Sequence, residues 1–348
     1  MSKRVLTWKE IAKQAVSDWF GKDVQSGYTL SYIWMSNEMG HFSLGFIITL
    51  FLVWGIKFFF PAIASTGKML WVPFLHAAFW IIKEMIDFIA EVVQARKKRN
   101  FPVNTGDIFK DMLTADFYFS LGIAIAYSSL LSFSLPFLIL LCSLPVTVCI
   151  AGYWLSRKIC FQRAGLPFQF RLGDFEKRFS DDEHINHSLC CRILEICSRQ
   201  ITGKHFLVFG QKGTQKTSLA IGMATEWTFH KGIARYTTYF KFLQLLCVSS
   251  EPSVQDGQKV WPWRKAGMLV VDDVNPGVDD VASCSNTSPH CLKTCLMWLG
   301  EAEQNLARLK EKTTVWIIGN ADHPEEWKKC FVEMGFPEED LILLTLLP

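Results

Sequence analysis

Between Phe117 and Ser156 the chain runs forty residues without an Asp, Glu, Lys or Arg. A second charge-free tract covers Phe42 to Ile56. About 20 apolar residues in a helix cross the hydrocarbon of a bilayer, at about 1.5 Å per residue. A disordered chain is too polar for such tracts. A water-soluble domain carries about 25% charged residues, against 20% here, where half of all residues are hydrophobic. The pattern points away from a purely soluble protein.

The apolar tracts divide into four segments within residues 41–161. Leu44–Ala64 has one interior charge, Lys57, placed near one end where its stem can snorkel to the headgroups. Met69–Val93 is apolar over Leu70–Ile82 and then carries Lys83, Glu84, Asp87 and Glu91. It reads either as a span with a projecting polar end or as an amphipathic helix at the interface. Basic residues cluster in three places: Lys3, Arg4, Lys9, Lys13 and Lys22; Arg96–Arg99; and Arg157, Lys158 and Arg163. Basic flanks favour the cytoplasmic side. All three clusters reach it only if crossings come in pairs, which gives two transmembrane hairpins, Leu44–Ala64 with Met69–Asp87 and Phe117–Leu131 with Phe137–Leu155. The N-terminal segment, residues 1–40, is polar and of mixed charge, unlike a signal peptide. It places Trp8, Ile11, Ala12, Ala15, Val16, Trp19 and Phe20 at helical spacing. That spacing suits a helix on the membrane surface or one packed on protein. Lys57 and the Lys83/Glu84/Asp87 group sit at span ends, so the region reads as an anchor and not a conduit.

From residue 162 to 348 the texture changes to short β-rich runs alternating with helical stretches, the pattern of βαβ units and a parallel sheet. Strands are expected at His205–Phe209, Ala234–Tyr239, Gly267–Val271, Thr314–Ile318 and Leu341–Leu346. Helices are expected at Lys216–Lys231, Phe240–Cys247, Pro289–Leu309 and Pro324–Met334. After the first strand comes Gly210-Gln211-Lys212-Gly213-Thr214-Gln215-Lys216-Thr217, then Ser218, opening a helix. This approaches the phosphate-loop pattern G-x-x-x-x-G-K-[ST], the Walker A motif, in which main-chain N–H groups and a helix N-terminus cradle phosphate. Lys216 would reach the β- and γ-phosphates, and Thr217 would ligate Mg²⁺. Gln215 departs from the pattern, standing where glycine tolerates positive φ and a close approach of phosphate. The third strand ends in Asp272-Asp273. A carboxylate there suits a Mg²⁺ site, with Asp272 in that role and Asp273 placed to orient water. Val315–Gly319 leads to Asn320, a polar amide at the end of a strand expected between the first and third.

These motifs resemble the AAA+ ATPases of the bacterial helicase-loader and transposition-helper type. The shared run is the loop with Thr217–Ala220, Ala234–Thr238 leading into Phe240–Leu246, Leu269–Asp273, and Asn320. It covers about Ile201 to Leu347 and none of the membrane region. The resemblance implies an α/β P-loop NTPase domain with a five-stranded parallel sheet, binding ATP and Mg²⁺ through Gly210–Ser218, with Asn320 as sensor 1. It also implies a protein partner or a homo-oligomer, and a place in the bacterial inner membrane with the N-terminus and the ATPase domain cytoplasmic. Departures are Gln215, the lack of any arginine after Arg308, and the expected absence of the helical lid. They bear on ATP hydrolysis more than on binding. The alternatives are a non-hydrolysing scaffold subunit and a membrane-disrupting effector.

The remaining features carry less. Cys284, His290, Cys291 and Cys295, and likewise His184, His187, Cys190 and Cys191, contain zinc-ligand types but lack knuckle spacing. The second group fits a helix before the sheet, and the eleven cysteines read as free thiols. Trp261-Pro262-Trp263-Arg264-Lys265 has the composition of a surface that stacks single-stranded nucleic acid, but it reads as a loop into the third strand. A net charge of +3 gives a nucleic-acid partner no support.

Overall fold

The computed structural model describes residues 7–13, 30–61, 69–98, 100–102, 105–132, 134–247, 263–275, 287–319 and 323–348, without the side chains of 30–36, 91 and 94–98. The chain divides into two compact units. One comprises Leu6–Lys98 with Val103–Ser156, and the other Arg157–Pro348 with Arg99–Pro102.

The first unit is helical. Its long helices are α1 (Leu30–Phe59), α2 (Trp71–Lys98), α3 (Thr105–Ser129) and α4 (Leu135–Ala164), the last running on past Ser156. α1 and α3 begin upstream of the apolar tracts that mark them in the sequence, and α2 and α4 run on past theirs, since a helix tolerates charge where side chains pair along one face. Lys83 does so with Asp87 at 2.8 Å. Two stretches are long and apolar enough to cross a membrane, Asn37–Phe59 and Leu135–Ala164. Only 17% and 6% of their apolar windows are buried. The helices α1 and α3 meet at Gly45 and Gly122. A Cβ on Gly45 would lie 2.2 Å from the Phe119 carbonyl oxygen, and one on Gly122 the same distance from that of Phe42. Only glycine allows main chains this close. A small apolar group of Val53, Met69, Val72 and Tyr127 closes the far end of this contact.

The second unit is a five-stranded sheet between two helical layers. Its strands are β1 (His205–Phe209), β2 (Ala234–Thr238), β3 (Met268–Asp272), β4 (Thr313–Gly319) and β5 (Leu341–Thr345). They lie in the order β2-β3-β4-β1-β5, every pair parallel. Its helices are α5 (Glu183–Arg199), α6 (Lys216–Phe229), α7 (Tyr239–Cys247), α8 (Pro289–Trp298), α9 (Ala302–Lys310) and α10 (Pro324–Glu333). Buried strands expose no polar face, so their residues alternate between two cores. Phe206, Val208, Val270, Val315 and Ile317 pack with α5 and α6. Leu207, Phe209, Val271, Trp316 and Ile318 pack with α7, α8 and α10. Arg171 clamps the segment before α5 onto α6 through paired bonds to Glu226, at 2.6 and 3.3 Å, with its guanidinium over the Phe229 ring.

The helix expected over Pro289–Leu309 is two helices. Gly300 breaks it at φ +59°, with its Cα pressed toward the Leu246 carbonyl. The described cysteines are free thiols. The cluster at His184–Cys191 lies on α5, as its spacing suggests. Cys190 is buried there, which pushes its thiol up to about 12. Cys284 and Trp261 lie outside the described residues. Among the described residues no three His, Cys, Asp or Glu gather as metal ligands.

Candidate phosphate-binding site

The order of the strands builds the site. β4 lies between β1 and β3, so the carboxyl ends of all three face one edge of the sheet, where open α/β sheets bind ligands. The β1–β4 register shifts at Val208/Phe209, and the Gly210 amide then bonds the Gly319 carbonyl at 2.8 Å. Gly319 has φ +102°, and a Cβ there would strike the Asn275 carbonyl oxygen at 2.2 Å. This close approach holds the tips of β3 and β4 together. Val274 N–H also donates to Ile317 O across the same pair.

Gly210–Gln215 forms the turn between β1 and α6. Gly210 and Gly213 have positive φ, and the Thr214 hydroxyl donates to Gln211 O at 2.8 Å, tightening the turn. Gln215 sits at φ 62° and ψ 28°, the left-handed conformation that glycine favours, and is exposed. A non-glycine residue there costs about 1–2 kcal/mol. As the N-cap of α6 it supplies no side-chain cap. The first-turn amides of a helix have no intrahelical acceptor, so α6 presents them, with its positive end, toward the turn. Thr217 and Ser218 in that first turn are half-buried.

Lys216 folds back on the turn, its Nζ donating to Gly210 O at 2.7 Å and Gln211 O at 2.6 Å. Burial pulls its ammonium below the usual lysine range, and the Asp272 charge opposes this. Asp272 is buried at the tip of β3. Its Oδ2 accepts from the Tyr236 hydroxyl at 2.8 Å and its Oδ1 from the Asp273 amide at 2.8 Å. Asp273 is exposed, at φ 56°. Partial burial first, then Asp272, raises its carboxyl above the usual range.

The structure thus gathers Gly210–Ser218, Asp272 and Asp273 at one edge. Asn320 lies outside the described residues. Tyr236 is the partner that the motifs do not announce. It stands on β2, whose end pairs with the end of β3 at Thr238–Asp272. Its signal is a phenol on a buried strand, whose hydroxyl requires a partner.

The donor set fits a phosphate chain with a divalent cation: uncapped helix amides, an ammonium, a hydroxyl and a carboxylate with unused lone pairs. The sheet, its crossover helices and this turn are consistent with a P-loop α/β domain. The solved structure described as the crystal structure of the DnaI is similar at 15% identity and a TM-score of 0.32, over 51% of this chain and 88% of that one. No protein-family model and no curated protein matches the chain.

Proposed function

We propose that the chain is a membrane-anchored, AAA+-like ATPase that binds ATP with Mg²⁺, hydrolyses it slowly and couples nucleotide state to self-assembly or to a protein partner. The observation that carries this reading is the conjunction of an uncapped α6 N-terminus with Lys216 held in the field of Asp272. Lys216 exchanges its two carbonyl acceptors for phosphate oxygens. Thr217 and Asp272 hold the metal, and Tyr236 fixes the carboxylate's rotamer. Bound Mg²⁺ supplies neutralisation of phosphate charge. Asp273, with its raised proton affinity, orients water, and Asn320 is the expected sensor of the terminal phosphate. An arginine from a neighbouring molecule would be required for fast turnover. Asn37–Phe59 and Leu135–Ala164 are the firmest membrane spans, and α2 and α3 complete two hairpins with the second unit on the cytoplasmic side.

Mg²⁺-dependent titration of a fluorescent ATP analogue into the detergent-solubilised full chain tests the nucleotide half. The expected result is saturable binding that Lys216→Ala weakens by about 10–150-fold, the loss of a charged hydrogen bond of about 1.5–3 kcal/mol. If the unaltered chain binds no nucleotide, the enzyme reading fails and the domain is a scaffold.

A further inference from the structure

The second unit buries one positive charge without answering it. Arg235 stands on β2, the strand at one edge of the sheet, and is 7% exposed. Its guanidinium makes no hydrogen bond, ion pair or ring contact among the described residues. Burial pulls it below the ordinary arginine range, with no neighbouring charge in opposition. A buried charge normally has a partner, because the cost of leaving water is otherwise uncompensated. Arg171, in the same unit, shows the usual arrangement in its two bonds to Glu226. A guanidinium presents five N–H donors in a planar fork. None of the Arg235 nitrogens is among the fully enclosed unpaired atoms, so the fork keeps a path to solvent. Gly165 holds one side of it clear. A Cβ on Gly165 would lie 3.1 Å from Nη1 and 3.7 Å from Cζ, and this glycine is exposed, with φ +67°. Any side chain at 165 would cover the fork.

A fork-shaped cation calls for an anion with at least two oxygens, and the place of the site narrows the choice. Gly165 directly follows α4, a helix of 30 residues. At about 1.5 Å per residue that is about 45 Å, the thickness of a bilayer with its headgroups. Towards its end α4 carries Tyr153 and Trp154, then Arg157, Lys158 and Arg163. Aromatic residues followed by basic ones are the composition of a helix end at headgroup level. Headgroups there bear phosphate, whose oxygens a guanidinium fork meets in pairs. The phosphate loop is a different place. Arg235 precedes Thr238, the β2 partner of Asp272, by three residues, about 10 Å along the strand.

We propose that Arg235, with Gly165 keeping its fork open, binds a phosphate group, carried by an anionic phospholipid headgroup at the end of α4 or by a free phosphate ion. The lipid source rests on the anchoring half of the functional reading, and the site is independent of nucleotide binding. Native mass spectrometry of the full chain, delipidated in neutral detergent, tests it. Phosphatidylglycerol, phosphatidylcholine and inorganic phosphate are added in separate arms, and flotation of vesicles reports membrane insertion apart from them. The unaltered chain should hold one phosphatidylglycerol at least about tenfold more tightly than phosphatidylcholine, and Arg235→Met should erase that preference. Arg235→Lys keeps the charge without the fork and should restore only part of it, and Gly165→Ala should weaken it. Because the charge has no partner in the empty chain, Arg235→Met without lipid should melt no lower than the unaltered chain, which separates lost binding from lost folding. Inorganic phosphate held in place of lipid, and lost in Arg235→Met, keeps the site and makes the free ion its ligand. A chain that binds the lipid but fails to float sinks the anchor and not the site. No phosphate-bearing probe held, or equal affinities in the unaltered chain and Arg235→Met, overturns the proposal.

Discussion

The clearest pH-dependent element of the second unit is His205, at the start of β1. Its ring is buried, packs edge-on against Phe336, and pairs through Nδ1 with the Thr314 hydroxyl at 2.8 Å. That hydroxyl also accepts from the Trp316 indole N–H at 2.8 Å. Burial lowers the His205 value from 6.5 to about 4, against the smaller opposing pull of Asp340 and the Lys310 carbonyl. Between those two values the unfolded chain binds a proton that the folded chain does not, so stability rises with pH across the window. The contribution is intact above 6.5, is lost as pH falls through the window, and is flat below 4. The shift corresponds to about 3 kcal/mol at most. Hydrogen exchange of β1 and β4 amides, corrected for intrinsic chemistry, should lose protection by up to about 150-fold between pH 7 and pH 4. In His205→Asn that part of the slope should vanish, although the variant starts less stable at neutral pH. Equal slopes in the parent and variant would refute the assignment.

Three further outcomes follow from geometry already described. Gln215→Gly removes the left-handed strain but frees the unfolded chain, so its net stability change should stay within about 1 kcal/mol. Tighter nucleotide binding in the titration above is the informative result. Gly319→Ala forces a Cβ into the Asn275 carbonyl and should cost about 2–3 kcal/mol, with exchange rising at both β3 and β4. Gly122→Leu should drive α1 from α3, lowering the detergent-solubilised helical unit's melting temperature while nucleotide affinity holds.

Much of the sheet was legible because buried strands bounded by turn residues carry a strong signal. β1 was read to the residue, and the loop placed the start of α6 at Lys216. The helix break was not legible. Leu292, Leu296, Leu299, Leu306 and Leu309 keep helical spacing across it, and the closeness of Leu246, from a distant part of the sequence, accompanies the left-handed state of Gly300. Tyr236 was hidden for a similar reason, since its bond to Asp272 depends on which strands are neighbours. In the helical unit, apolar tracts mark the helices but not their ends, because charge pairs such as Lys83–Asp87 let a helix run through polar sequence.

The place of β4 between β1, which leads into Gly210, and β3, which ends in Asp272, sets a gauge. Two inter-strand steps, about 9.5 Å, separate the turn from the acid. Alterations that thicken or slip the middle strand, which carries the fully enclosed Trp316, would reset it from within the core.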